Sequence, residues 1–437
     1  MANFIEPRIL KGFRDFLPPA EIARRGLVER IEASFRSYGF VPIDTPALEY
    51  AEILLGKGGG ETEKQIYRFN DHGGRDVALR FDLTVPFARF LAEHRAELSL
   101  PFKRYHIAKV WRGENTQRGR YREFTQCDFD IVGSDSPAAD FEVLLIMRNT
   151  FRAIGAGEVT IRINHRGLFN RFLSNLGVLE KSVDILRTVD KLTKVGREET
   201  RGLLADLTDA DKAGEILSFI EATGSFEEIL DTITQASGGD SPESAWLRTL
   251  RRFMVDTGTA DSFALDPSIT RGLDYYTGVV YETFLKDLPD IGSVCSGGRY
   301  DDLAGLYAKE RLSGVGSSIG LDRLIAALES LGKLKSTGSY AQVAIACVQD
   351  AQAGLYQALA GKFREAGIPC EVFLEERKLT KQFMLAEKKG ARWLVIPGEA
   401  PLTDSLTLRD LGNRENQEGL SWEAAAAIIK GTGGMIS

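Results

Sequence analysis

The stretch VWRGENTQRGRYREFTQCDFDIVG, residues 110–133, predicts a β-hairpin with one strongly polar face. A polar segment with a glycine at each end, GENTQRG, separates two runs of strand-like sequence. Because successive side chains of a strand point to opposite faces, the even-numbered positions from 120 onward share one side. These positions are Arg120, Arg122, Phe124, Gln126, Asp128 and Asp130. The stretch therefore predicts an antiparallel pair with polar side chains on most of one face.

Two interpretations of this polar face are open. It could be the solvent-facing side of a strand whose opposite side packs on a core. It could instead bind a ligand, since arginines suit phosphates, an aromatic ring suits a flat base, and an amide with carboxylates suits an amine. We favour the ligand, because the planar guanidinium group of arginine can bind two phosphate oxygens at once.

Composition indicates a folded protein of two or three domains. The chain has 437 residues, of which 43% are hydrophobic and 27% are charged, as is usual for globular proteins. A net charge of -7 at pH 7 gives no basic field over the whole chain, so RNA would have to be bound by local patches. We see no membrane span and no apolar signal segment at the N-terminus, and we expect a cytoplasmic protein.

The cysteines and histidines predict neither a disulfide framework nor a metal site. The four cysteines lie far apart without a C-x-x-C spacing, and the four histidines show no H-x-x-x-H spacing. We therefore expect no tightly bound metal held by the protein, and any metal ion would arrive with a substrate.

Three segments of the chain differ in their patterns. Residues 1–330 read as an antiparallel-sheet domain, which a helical insertion with few strand signals interrupts at about 166–258. From residue 340 strands alternate with helices that end at glycines, which predicts a compact α/β module over 340–437. The fold class we expect is α/β, with an α+β first domain.

Polar residues also stand beside a predicted helix start in LRFDLTVPF. Asp82 and Thr84 precede a helix that Pro86 can open in its first turn. The two side chains could cap this helix, because Asp and Thr are preferred cap residues. They could instead form the polar wall of a substrate pocket, and both interpretations stay open.

Two further stretches contain arginines at positions that a bound ligand would account for. In TRGLDYYTG, Arg271 precedes Tyr275 and Tyr276, of which one must point inward and needs a partner for its hydroxyl group. In GVGSSIGLDRL, Arg323 lies in the first turn of an amphipathic helix, where a cation opposes the helix dipole by about 0.3–1 kcal/mol. A bound phosphate would reverse that penalty. The alternatives are that the tyrosine is a core residue and that the arginines are exposed and tolerate the electrostatic penalty.

Taken in order, these stretches resemble the histidyl-tRNA synthetases, a family of class II aminoacyl-tRNA synthetases, over essentially the whole chain. GFVPIDTPALEY, WRGENTQRGRYREF and GVGSSIGLDRL are similar to class II motifs 1, 2 and 3. RGLDYYTG and SGGRYDDL are similar to the two histidine-specific signatures of the family. The resemblance implies a catalytic antiparallel sheet flanked by helices, with the helical insertion, followed by an α/β anticodon-binding domain.

The resemblance also implies roles for individual residues. Arg112 and Arg271 would be catalytic, on opposite sides of the α-phosphate of ATP. Glu114 would bind the adenine amine. The implied ATP-binding residues are Arg112, Glu114, Arg120, Phe124 and Arg323. The implied histidine-binding residues are Asp82, Thr84, Gln126, Asp130, Arg271, Tyr275, Tyr276 and Tyr300.

The reaction implied is ATP-dependent activation of L-histidine to histidyl-adenylate, followed by transfer to the 3′ end of tRNA(His). Mg2+ would accompany ATP, and motif 1 implies a homodimer. In the last domain, the basic stretch RKLTKQ is the predicted edge that faces the anticodon. Its candidate RNA contacts are Arg377, Lys378, Lys381 and Gln382.

Two rival functions compete with this one. The first is a catalytically inactive, synthetase-like regulatory subunit of ATP phosphoribosyltransferase. Such paralogues lack the last domain and lose the arginines that are present here as Arg112, Arg271 and Arg323. The second rival is a class II synthetase for another amino acid, against which RGLDYYTG and SGGRYDDL argue.

Overall fold

Helices and strands are distributed over the whole chain, and the computed structural model describes residues 4–56, 61–269, 276–300, 307, 311–334, 336–398 and 404–432. The helices are α1 (Pro18–Ser37), α2 (Ala51–Leu55), α3 (Glu61–Gln65), α4 (Thr84–His94), α5 (Pro137–Ala153), α6 (Arg166–Asn175), α7 (Ser182–Val189), α8 (Leu192–Val195), α9 (Arg197–Leu207), α10 (Ala210–Ile220), α11 (Phe226–Ala236), α12 (Pro242–Asp256), α13 (Leu321–Ser330), α14 (Ala353–Glu365), α15 (Leu379–Lys389) and α16 (Trp422–Thr432). Among these described helices, none is both long and apolar enough to cross a membrane.

The strands form three sheets. They are β1 (Val41–Pro42), β2 (Leu48–Tyr50), β3 (Arg68–Asn70), β4 (Asp76–Leu79), β5 (Phe102–Trp111), β6 (Glu123–Val132), β7 (Val159–His165), β8 (Phe263–Leu265), β9 (Val279–Leu285), β10 (Cys295–Tyr300), β11 (Gly314–Gly320), β12 (Val343–Ile345), β13 (Cys370–Val372), β14 (Trp393–Pro397), β15 (Leu406–Asp410) and β16 (Glu415–Leu420). The sheet orders are β1-β5-β6-β11-β10-β9-β7-β8, β13-β12-β14-β15-β16 and β2-β4-β3.

The chain divides into two compact units. One contains Met1–Arg14 and Arg30–Lys333, and the other contains Asp15–Glu29 and Leu334–Ser437. The eight-stranded and three-stranded sheets belong to the first unit, and the five-stranded sheet belongs to the second.

The predicted hairpin is confirmed as the pair β5 and β6. The two strands are antiparallel in a continuous register from Phe102 opposite Val132 to Trp111 opposite Glu123. The central strands from β5 to β7 are all antiparallel to their neighbours, as expected. The two edge pairs differ from that expectation, because β1 is parallel to β5 and β8 is parallel to β7. The sheet is therefore mixed at its edges.

The two faces of β6 separate core from pocket. From Thr125 onward, the odd-numbered side chains are buried and do not line the cavity, and the ring centre of Phe129 lies 4.7 Å from that of Phe35 on α1. Even-numbered side chains from Phe124 onward share the opposite face, as the alternation predicted. Arg120 and Arg122 precede the strand, and of these two only Arg120 lines the same cavity as Phe124. Gly119 adopts a φ of 71° in a turn there, so the alternation of a strand does not apply.

The segment between β7 and β8 is helical. Helices α6 to α12 follow one another there, with Ser225 and Ser241 capping the starts of α11 and α12 through reciprocal hydrogen bonds. These capping interactions satisfy backbone N–H groups that have no partner within a helix. The chain leaves the sheet at His165 and re-enters it at Phe263.

Buried charge holds helix α5 against the sheet. Arg299 on β10 lies 2.8 Å from Asp140 on α5, and the two side chains are 6% and 0% exposed. A paired guanidinium and carboxylate are tolerated in a core because each satisfies the other. Arg299, part of the SGGRYDDL stretch, is thus a structural residue.

The second unit has its own core. Strand β12 is parallel to β13 and β14, while β15 and β16 add antiparallel strands at one edge. Apolar side chains such as Tyr356, Phe363 and Trp393 are buried between this sheet and its helices. The alternation of strands and helices predicted from residue 340 onward is therefore confirmed.

Candidate active site

A cavity of about 330 Å³ opens on the polar face of the eight-stranded sheet. It brings together every predicted ATP-binding and histidine-binding residue that the structure describes. These residues are Asp82, Thr84, Arg112, Glu114, Arg120, Phe124, Gln126, Asp130, Tyr276, Tyr300 and Arg323. Arg271 and Tyr275 lie outside the described residues. Side chains that are far apart in sequence thus form one pocket.

A glycine makes room for the Asp130 carboxylate. Gly316 on β11 is the register partner of Asp130, and a Cβ atom placed on it would lie 1.9 Å from Asp130 Oδ1. Non-bonded heavy atoms do not approach this closely, so only glycine allows the carboxylate its position. The pocket therefore requires the glycine at position 316 of GVGSSIG.

We expect Gly316→Ala to destabilise the protein by about 1–3 kcal/mol, because an added methyl group in a tightly packed site forces its neighbours to move. Urea unfolding measures this loss. Gly320→Ala is the matched control, since a Cβ atom there would meet nothing closer than 3.9 Å. Equal stability of the two variants would contradict the prediction.

Arg104 is a buried partner of the pocket residue Asp130 that the sequence analysis missed. It is fully buried, and its Nη2 lies 2.7 Å from Asp130 Oδ2. Its guanidinium carbon also lies 4.0 Å from the ring centre of Phe87. On the other oxygen of the same carboxylate, the Tyr300 hydroxyl donates a hydrogen bond of 2.8 Å to Asp130 Oδ1. Burial raises the pKa of Asp130, while Arg104 and Tyr300 favour its ionised form.

Arg112 enters the pocket from the end of the hairpin. Its Nε donates a hydrogen bond of 2.8 Å to the carbonyl oxygen of Phe81, which directs the rest of the guanidinium group along the cavity wall. The guanidinium carbon lies 5.2 Å from the ring centre of Phe124. A fixed cation and an aromatic ring are therefore adjacent in the pocket.

The loop between β5 and β6 carries two further predicted ATP contacts besides Arg112. Arg120 Nη1 lies 3.8 Å from Glu114 Oε2, and both side chains are partly exposed. The pair contributes little to stability at this distance and exposure. Both side chains line the cavity and are available to a ligand.

Helix α13 presents Arg323 to the cavity from its first turn. Arg323 Nη1 donates a hydrogen bond of 2.7 Å to the carbonyl oxygen of Ser293, and the side chain is half-buried. The alternative of a freely exposed arginine is therefore wrong. Gly119 of the hairpin loop packs against this turn, since a Cβ atom on it would lie 3.1 Å from the Cα of Arg323.

Asp82 satisfies both of the interpretations left open from the sequence. Its Oδ1 accepts a hydrogen bond of 3.0 Å from the backbone N–H of Val85, which caps helix α4. Its Oδ2 is buried and has no hydrogen-bond partner among the described residues, and the side chain lines the cavity. Burial raises the pKa of Asp82. One carboxylate therefore both caps the helix and forms the pocket wall.

Arg14 connects the two motifs around the pocket and was also missed. Its guanidinium carbon lies 4.0 Å from the ring centre of Tyr121, and the group forms an ion pair with Asp322. The other oxygen of Asp322 accepts a hydrogen bond of 2.7 Å from the backbone N–H of Thr125. These contacts fasten the end of the hairpin loop to the start of α13. No spacing in the sequence relates residue 14 to residue 322.

The predicted RNA-contacting stretch lies at the start of helix α15. Arg377, Lys378 and Lys381 are exposed. Gln382 is only 1% exposed, and its amide group hydrogen-bonds the backbone of Cys347 and the carbonyl oxygen of Arg377. The prediction that Gln382 contacts RNA is corrected accordingly, because a buried and fully paired amide cannot reach a nucleic acid.

The described residues contain no group of three or more His, Cys, Asp or Glu side chains arranged to hold a metal ion. A metal that arrived on a nucleotide would be bound mostly by phosphate oxygens and water. The carboxylates of the pocket, Glu114 among them, are the groups that such a complex would meet.

Comparison with known proteins identifies relatives along the full chain. The family model described as "Histidyl-tRNA synthetase" matches residues 12–324, and "Anticodon binding domain" matches residues 342–432. A histidine–tRNA ligase from Treponema denticola is 50% identical, covering 98% of this chain and 99% of its own length. Another, from Rhodopirellula baltica, is 46% identical over 98% of each chain.

Solved structures agree with these relatives. The histidyl-tRNA synthetase from Nostoc sp. PCC 7120 has a TM-score of 0.87 at 34% identity, covering 98% of this chain and 99% of its own. A Bacillus halodurans protein described as an ATP phosphoribosyltransferase regulatory subunit/histidyl-tRNA synthetase has a TM-score of 0.74 at 21% identity, which shows the shared fold alone. From the match over residues 12–324 and the relatives that span the whole chain, the chain belongs to the histidyl-tRNA synthetase family.

Proposed function

We propose that this chain is a histidine–tRNA ligase, which activates L-histidine with ATP and transfers it to the 3′ end of tRNA(His). One observation carries the proposal: the residues implied by the family for ATP and for histidine line a single cavity, wherever the structure describes them. Relatives that are 46–50% identical over nearly the full chain, and that are named histidine–tRNA ligase, support it.

In the first step, the carboxylate of histidine attacks the α-phosphorus of ATP, and pyrophosphate leaves. Two anions must approach each other, so a fixed cation at the reacting phosphate lowers the barrier. We assign this role to Arg112, because its bond to Phe81 holds it in the cavity before any ligand arrives. By resemblance to the family, we assign Arg271 to the opposite side of the same phosphate.

We assign the adenine ring to the space beside Phe124. The ring of Phe124 would stack on one face of the base and the guanidinium group of Arg323 on the other, since both are planar groups that line the cavity. Glu114 would accept a hydrogen bond from the adenine amine. Arg120 would contact the γ-phosphate from the same loop.

The remaining residues would hold histidine at the floor of the cavity. Asp82, Thr84 and Gln126 offer oxygen atoms to the ammonium end. Asp130 and Tyr300 are joined by a hydrogen bond, and Tyr276 lines the same cavity. These polar groups would reject side chains that cannot match their hydrogen bonds.

The second step joins the amino acid to RNA. A ribose hydroxyl at the 3′ end of tRNA(His) attacks the carbonyl carbon of the adenylate, and AMP leaves. We propose that Arg377, Lys378 and Lys381 contribute phosphate contacts from the anticodon-binding domain, because they are exposed cations in one short stretch. Mg2+ would enter with ATP and would neutralise its β- and γ-phosphates.

We also propose a homodimer that acts in the cytoplasm. In the motif 1 stretch GFVPIDTPALEY, the apolar side chains of Val41, Leu48 and Tyr50 are exposed by 46%, 40% and 50%. Exposed apolar side chains in one segment are typical of an interface.

ATP–pyrophosphate exchange with each of the twenty amino acids in turn, without tRNA, tests the function. Exchange with histidine alone is the expected result. If a folded protein bound histidine but exchanged no amino acid, the regulatory alternative would replace this proposal. Exchange with a different amino acid would assign the chain to another specificity.

A further inference from the structure

Three buried acceptor atoms in the cavity have no donor. Asp82 Oδ2, Gln126 Oε1 and Asp128 Oδ1 are all inaccessible to solvent, and none has a hydrogen-bond partner among the described residues. All three side chains line the cavity and are at least nine-tenths buried. A buried acceptor without a donor costs free energy, so this arrangement favours a ligand that is rich in donors. An ammonium group has three N–H donors and no acceptor.

The hydrogen bonds of Ser318 determine which acceptor atoms of Gln126 and Asp128 remain without a partner. Gln126 Nε2 donates a hydrogen bond of 2.9 Å to Ser318 Oγ. The Ser318 hydroxyl in turn hydrogen-bonds the Asp128 carboxylate, which faces it across the β6–β11 register. Since Ser318 gives its proton to Asp128, it must accept from the amide of Gln126. The amide oxygen of Gln126 and one oxygen of Asp128 are therefore left for a ligand.

The charges around Asp128 also favour a cation. Burial raises the pKa of Asp82, Asp128 and Asp130, and that of Asp128 rises to about 7. Arg104 favours the ionised form of all three carboxylates, but burial still raises each pKa. The titratable groups that face Asp128 from the neighbouring elements are Arg80, Asp82, Arg104, His106, Asp130 and Cys295.

We propose that Asp128 is a further specificity-determining residue, whose carboxylate accepts a hydrogen bond from the α-ammonium group of the bound amino acid. The inference rests on the proposed function, because it concerns the histidine that this site would activate. Asp82 and Gln126 provide the other two acceptors. The site thereby distinguishes an amino acid from an imidazole compound that lacks the amine.

Calorimetry with two ligands and the full-length chain tests this role. L-histidine carries the ammonium group, while 3-(imidazol-4-yl)propanoate lacks it and is otherwise the same molecule. We expect Asp128→Asn to weaken histidine binding roughly 10- to 100-fold, the range for a hydrogen bond between charged groups. Binding of the deaminated compound stays unchanged, and this also shows that the variant is folded.

The pH dependence gives a second measurement. Asp128 must ionise to accept from the ammonium group at full strength, so the ratio of the two histidine dissociation constants, variant over wild type, grows as pH rises from 5.5 to 8.5. Taking the ratio cancels the titration of histidine itself. A structural role of Asp128 would not produce this change.

Each other outcome overturns the inference. Equal losses for both ligands would make Asp128 structural, and an unchanged histidine affinity would remove it from the site. If Asp128→Asn failed to fold, Asp128→Ser, which is smaller and also neutral, would decide the same comparison. Histidine activation by the wild-type chain tests the proposed function separately. If the wild-type chain activates histidine but Asp128→Asn leaves histidine binding unchanged, only the inference is rejected. If the wild-type chain does not activate histidine, the proposed function is rejected.

Discussion

Arg112→Gln is expected to reduce histidine-dependent ATP–pyrophosphate exchange by about 10²–10³-fold, the usual loss when one fixed group that stabilises transition-state charge is removed. The bond from Nε to Phe81 holds the guanidinium group in the cavity without a ligand, so little reorganisation is needed when charge develops on the phosphate. Glutamine keeps a similar length and polarity but carries no charge. The exchange rate at saturating ATP and histidine measures the effect.

Arg118→Gln is the matched control for this variant. Arg118 lies on the same loop, is exposed, and hydrogen-bonds Ser330 Oγ at 2.6 Å. It does not line the cavity, so its loss should leave exchange within a factor of about two, as for surface substitutions. Similar losses in both variants would mean that the loop as a whole, and not the charge of Arg112, is required.

Arg104→Met is expected to cost about 3–5 kcal/mol of unfolding free energy, because it leaves the Asp130 carboxylate buried without its counter-ion. Methionine approximates the length of the arginine stem and keeps contact with Phe87. Urea unfolding followed by circular dichroism measures the loss. In the double variant Arg104→Met with Asp130→Asn, the carboxylate that forms the ion pair is absent as well, and most of the lost stability should return.

The loss should also depend on pH. Arg104 opposes the rise in the pKa of Asp130 that burial causes, so removing the arginine lets that pKa rise further. A carboxyl group whose pKa is raised in the folded state stabilises the fold at low pH. This stabilisation is lost as pH rises to the raised pKa. The difference between wild type and Arg104→Met should therefore be larger at pH 8 than at pH 5. A difference that is the same at both pH values would contradict this account of the pair.

Local periodicity predicted the part of the site that lies on one strand. From Phe124 to Asp130, the alternation of β6 alone placed the pocket residues on one face, because the side-chain period of a strand is two. The same rule does not apply to Arg120 and Arg122, because the turn at Gly119 precedes the strand, and Arg122 does not line the cavity. A sequence pattern holds only as far as its element extends.

The missed residues depend on contacts that no local pattern encodes. Arg104 meets Asp130 through the exact register of the hairpin, and Arg14 meets Asp322 across more than three hundred positions. Gln382 was misplaced for a related reason. In a basic stretch at a helix start, nothing in the sequence shows that this one amide turns inward to the backbone of Cys347.

The parallel pairing of β7 with β8 limits how far this protein could be shortened. Parallel neighbours cannot be joined by a tight turn, because the chain must travel back along the sheet before the second strand begins, usually over a dozen residues or more. The helices between His165 and Phe263 supply that return path. The helical connection could be shortened, extended or replaced, but a variant that lacked any crossover would lose β8. Excision experiments on the helices therefore need a substitute crossover of one helix, or they will report a damaged sheet in place of the role of the inserted segment.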